Sequence, residues 1–87
     1  MKTFKDLEFS SLMHYQDGKQ AIIYFDNGYG ASVVCHEHSY GGKQGLYELA
    51  VLDEEGQLCY DTPVTGDVMG YLTEDEVTDL LKQIQEL

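Results

Sequence analysis

Residues 72–87 read LTEDEVTDLLKQIQEL, and this closing stretch decides the fold. Thr73-Glu74-Asp75-Glu76 has the form of a capping box. The Thr73 hydroxyl can accept from the Glu76 N–H while the Glu76 side chain reaches back to the N–H of Thr73. Leu72 and Val77 flank the cap at the spacing of a hydrophobic staple. Three acids in the first turn suit the positive end of the helix dipole. Val77, Leu80, Leu81, Ile84 and Leu87 then recur on one helical stripe, and a stripe of that kind needs a sheet to lie on.

The sheet is legible upstream. Residues 7–15 read as a first strand, with Asp17-Gly18 as the turn after it. Residues 19–26, rich in β-branched and aromatic side chains, are a stronger strand. Asn27-Gly28 suits a two-residue type I′ turn, and residues 29–36 return. That turn predicts Asp26 opposite Tyr29, Tyr24 opposite Ala31 and Ile22 opposite Val33, all on one face. Ala21, Ile23 and Phe25 then fall on the other face, beside Gly30, Ser32 and Val34. The helix is expected to cover one face, and Tyr24 and Tyr29 to mark the partly open one. Residues 46–52 form a further strand. Glu54-Glu55-Gly56 turns it back into residues 57–60, and Pro63 ends that run because proline cannot donate to a ladder. Residues 64–72 read as a connector. The expected fold is α+β: a twisted antiparallel sheet of four to five strands, a hairpin-rich meander, with one C-terminal amphipathic helix on one face, in one acidic domain spanning residues 1–87.

Charge is the unusual property. The 87 residues hold 16 Asp and Glu against 5 Lys and Arg, a net charge of −11. Residues 53–87 alone contain ten acids and one lysine, Lys82. Such a surface repels nucleic acid and anionic membranes and attracts basic partners. It also keeps a small protein soluble, which is the plainer reading. No apolar run approaches the roughly 20 residues of a membrane span. The Met1–Asp6 opening lacks the apolar core of a secretory signal, so a cytoplasmic protein is expected. Cys35 and Cys59 are too few for a disulfide framework and are expected to be free thiols.

Motifs that could carry chemistry are weak. Cys35-His36-Glu37-His38 would, on a continuing strand, put His36 and His38 on one face, where a metal could sit with His14 or an acid. Zinc sites need three or four ligands at recognisable spacing, and none is spelled out. Gly41-Gly42-Lys43-Gln44-Gly45 lacks the Gly-Lys-Ser/Thr ending of a phosphate loop and leads into a strand. Neither cysteine stands at a diagnostic spacing from a histidine. No catalytic residue, cofactor or metal is therefore assigned. The seven tyrosines are more telling, because tyrosine is enriched at interfaces. Tyr40 lies in a Gly-rich loop suited to contact.

Several segments resemble small proteins of tailed bacteriophages and prophages: residues 27–34 (NGYGASVV), 47–52 (YELAVL) and 59–68 (CYDTPVTGDV), with the opening MKTFKDLEF and the closing LTEDEV. The resemblance spans most of the chain and carries no catalytic residues across. It implies either an inhibitor of a host protein or a small accessory factor, in the host cytoplasm. The resulting expectation is a non-enzymatic protein that binds a basic host macromolecule, such as a nucleic-acid-binding or defence protein. The residues expected to make contact are Asp53, Glu54, Glu55, Asp61 and Asp67, with Tyr40 and Tyr60 as aromatic anchors. A homo-oligomeric accessory protein, monomer or weak homodimer in solution, is the alternative. A metal protein using His36 and His38 is a further one.

Overall fold

The computed structural model describes residues 1–12, 18–59, 62–64 and 68–87. Five strands form one antiparallel sheet in sequence order: β1 (Ser10–Ser11), β2 (Lys19–Tyr24), β3 (Gly30–Cys35), β4 (Tyr47–Leu52) and β5 (Met69–Leu72). The helix α1 (Glu74–Gln85) follows β5 and lies across one face, so the fold is α+β.

The capping box forms. Thr73 Oγ1 accepts from the Glu76 N–H at 3.2 Å, and Glu76 Oε1 accepts from the Thr73 N–H at 3.0 Å. Both staple residues, Leu72 and Val77, are buried. Val77, Leu80, Leu81 and Ile84 pack on Ala31, Val33, Leu49 and Val51 of the central strands, and together these residues make the core. Each is fully or nearly fully removed from water, where aliphatic side chains contribute most per residue.

The β2–β3 turn differs from the two-residue turn that Asn27-Gly28 suggests. Phe25 pairs with Tyr29, its N–H donating to the Tyr29 carbonyl at 2.8 Å, so the loop has three residues, Asp26, Asn27 and Gly28. A type I′ turn needs positive φ at both central residues. Only Gly28, at φ 90°, adopts it. Asn27 has other work: its Nδ2 donates to the Ile84 carbonyl at 2.8 Å and its Oδ1 accepts from the Tyr29 N–H at 3.0 Å. The pairing therefore moves by one residue, to Tyr24 with Gly30, Ile23 with Ala31 and Ala21 with Val33. Tyr24 and Tyr29 consequently point to opposite faces. Tyr29 packs against the core, whereas Tyr24 is 53% exposed on the face away from the helix.

Three other expectations change. The first strand shrinks to Ser10–Ser11, because the chain before it leaves the sheet. Phe4 and Phe9 turn onto Tyr47, with ring centroids 5.0 and 5.7 Å from it, and the Phe4 N–H donates to Thr78 Oγ1 on the helix. The rest of residues 7–15, from 13 on, lies outside the described residues. The connector ends in a real strand, β5, which pairs with β4 through a bulge. Of the expected return strand 57–60, residue 60 lies outside the described residues; residues 57–59 return and, among the described residues, make one bridge, Leu52 with Leu58. They occupy the same edge of β4 as β5, end to end with it.

Candidate functional site

Two hairpin tips meet at one end of the sheet, and they are built alike. The loop 26–28 and the loop 54–56 each have three residues with a left-handed glycine third, Gly28 at φ 90° and Gly56 at φ 81°. A type I turn closed by such a residue keeps the right-handed twist of the flanking strands. Asp53 fixes the second tip by accepting at Oδ1 from the N–H groups of Glu55 (2.9 Å) and Gln57 (3.0 Å). Between the tips lies an open cleft of about 310 Å³ lined by Asn27, Gly28, Tyr29, Asp53, Glu54 and Cys59. The Glu54 carboxylate leans across Gly28, and its Oε2 would stand 3.6 Å from a Cβ placed there. Among the described residues, no lysine lines the cleft.

Tyr24 reaches the same end from the outer face. Its ring lies over Gly30, where a Cβ would fall 2.7 Å from Tyr24 Cδ1. Its hydroxyl extends to within 2.9 Å of the point where a Cβ on Gly56 would stand. The acidic end thus carries Asp26, Glu54 and Glu55 exposed and Asp53 half-buried, with Tyr24 beside them and Tyr29 beneath.

The structure divides the residues proposed from sequence. Asp53, Glu54 and Glu55 belong to one turn. Tyr40 lies elsewhere, in the loop beyond β3, where its carbonyl accepts from the Tyr71 N–H at 3.1 Å and its side chain presses on Gly70. The six residues of β4 separate that loop from the acidic turn, about 20 Å at ~3.3 Å per residue. Tyr40 therefore stands apart from those acids rather than beside them. Tyr60, Asp61 and Asp67 lie outside the described residues. Asp26, Tyr24 and Tyr29 are the neighbours that sequence reasoning missed. Only the corrected turn and register reveal them.

Tyr40 and Tyr71, each 57% exposed, mark the opposite end. Tyr71 holds φ 56°, the one non-glycine residue with positive φ among the described residues. The strand does not continue through His36 and His38. Ser39 Oγ accepts from the His36 N–H and donates to its carbonyl, which folds the backbone into a turn. His36 Nδ1 accepts from the His38 N–H at 3.1 Å. Among the described residues no group of three or more His, Cys, Asp or Glu is placed to hold a metal ion. His14, the other candidate ligand, is outside them. Cys35 and Cys59 are both half-buried.

On the helix side, the Lys19 ammonium stands 5.0 Å from the Phe9 ring centroid and 5.2 Å from that of Tyr47. Its hydrogen bond with the Tyr47 hydroxyl holds the ammonium above the usual lysine range. This cation seals the end of the core, well away from the acidic cleft.

Among the described residues, no helix is long and apolar enough to cross a membrane. Comparisons with protein-family models, with curated proteins and with solved structures found no match.

Proposed function

We propose that the chain is a non-enzymatic accessory protein of a phage or prophage. It binds a basic host protein through the acidic end of the sheet, and inhibition of a nucleic-acid-binding or defence protein is the role this surface suits. The observation that carries the reading is the convergence of two like-built hairpin tips on one cleft, with Asp53 and Glu54 on its wall and Tyr29 and Cys59 as its apolar part. Carboxylates beside an amphipathic ring suit the head and stem of a lysine or arginine side chain. The net charge of −11 adds long-range steering toward a cationic partner. The phage assignment draws on the resemblance of the segments quoted above.

The test is capture from bacterial host lysate by the wild-type chain and by a chain carrying Asp53→Asn, Glu54→Gln and Glu55→Gln together. A partner held at low salt, released as salt rises and lost by the triple variant supports the reading. Retention that neither salt nor the triple substitution weakens refutes it, because exposed charge pairs are screened within about 10 Å at 0.1 M salt.

A further inference from the structure

The outer edge of β2 is open where the sheet could take another strand. The Phe25 N–H donates inward to Tyr29, and the Gly18 carbonyl accepts outward from Leu12. Antiparallel ladders alternate, so the even-numbered residues of β2 turn their N–H and C=O toward the outer edge. β1 covers Gln20 and Lys19 through Ser10 and Ser11 and goes no further. Ile22 and Tyr24 have no strand partner on that side among the described residues. Their side chains point to the face away from the helix and are 54% and 53% exposed. A natural edge is usually blunted by lysine, proline or a bulge. Here two apolar residues and four open backbone groups coincide.

Two clefts of about 290 Å³ flank this edge. One is lined by Glu8, Ser10, Gln20 and Ile22 among others. The other, at the Tyr24 end, is lined by Met1, Lys2, Tyr24 and Asp26 among others, so a carboxylate there already has cations beside it. Among the described residues, the one charged group lining the first cleft is the exposed Glu8 carboxylate, at the end where β1 stops. A second copy of the chain would bring another −11 to this edge.

We infer that the Ile22–Tyr24 edge of β2 receives an extended segment of another protein as a sixth, antiparallel strand, with apolar residues at the two positions opposite Ile22 and Tyr24 and a lysine or arginine following them beside Glu8. Main-chain bonds supply the pairing and the alternate side chains supply selectivity. The inference stands apart from the acidic cleft, since neither Asp53 nor Glu54 takes part.

The probe is a capped pentapeptide of alternating valine and threonine ending in lysine, titrated into the intact protein and followed by amide exchange. At peptide ten times above its Kd, exchange at Ile22 and Tyr24 slows about tenfold, while Ile23, already bonded inward, is unchanged. N-methylation of the two valines that pair with Ile22 and Tyr24 abolishes the effect. N-methylation of the threonines leaves it intact, and glutamate in place of the terminal lysine weakens binding. The triple Asp53, Glu54 and Glu55 variant gives the wild-type response, which separates this site from the cleft. No change at Ile22 and Tyr24 at millimolar peptide overturns the inference. So does equal loss from methylation at either set of positions. Sedimentation of the protein alone as a dimer with those two amides protected would assign the edge to a second copy and overturn it as well.

Discussion

Asn27 shows how much one side chain decides. By donating to the Ile84 carbonyl and accepting from the Tyr29 N–H, it ties the β2–β3 turn to the end of α1. Asn27→Ala removes these bonds and takes the side-chain acceptor from the Tyr29 N–H, while the Ile84 carbonyl keeps the Leu87 N–H as a donor, so denaturant unfolding should show a loss of about 1 kcal/mol. At the other end of the helix, Thr73→Ala should cost about 1 kcal/mol, and Thr73→Ser much less, because serine keeps the capping oxygen. Lys19 predicts a pH effect. Its folded-state pKa is raised above the ordinary lysine value of 10.5 by the Tyr47 hydroxyl, so its contribution is complete at neutral pH and lost as pH climbs through that raised value. Lys19→Met should cost about 0.5–1 kcal/mol at pH 7 through the lost cation–π contacts. It should also flatten the decline in stability above pH 10.5, as read from urea midpoints across pH.

At the level of elements, the helix was the most legible part. Its cap, staple and stripe are local signals, and each stands as the spacing of residues 72–87 implies. Leu81, fully buried against the sheet, should be costly to truncate: Leu81→Ala is expected to lose about 2–5 kcal/mol. The whole fold has roughly 5–15 kcal/mol to lose, so the variant's thermal melt should fall sharply or lose cooperativity. The strands were legible as runs but not in register. Asn27-Gly28 carries the signature of a two-residue turn, yet the helix end competes for the asparagine, and that contact is 57 residues away in sequence. β5 was hidden because Gly70, the positive φ of Tyr71 and a bulge break the alternation that marks a strand. The first strand was overread because Phe4 and Phe9 pack on Tyr47 rather than extend the ladder. The acids of the second turn could be picked out from sequence, while their tyrosine neighbours followed only from the true register. Tyr40 resembles an interface residue in isolation and sits at the far end.

Across the molecule, which extends 34 × 23 × 22 Å, the net charge of −11 is crowded onto a small surface. Self-repulsion of this kind opposes compaction and is relieved by salt. Added sodium chloride should therefore raise the melting temperature, and the triple Asp53, Glu54 and Glu55 variant should show a smaller rise. A melt that is unchanged by salt would mean that the carboxylates are too far apart to repel. The acidic cleft and the open strand edge share one end of this body, within reach of Asp26. A single partner with a basic extended arm could engage both. Residues 2 and 85 are also held face to face there: the Lys2 N–H donates to Gln85 Oε1 at 2.9 Å, and Gln85 Nε2 donates to the Lys2 carbonyl at 2.8 Å. The backbone is thus nearly a closed ring. A short linker across that clasp, with new ends cut at exposed Lys43–Gln44, should yield a circular permutant that keeps the same sheet, because the chain breaks where little is buried.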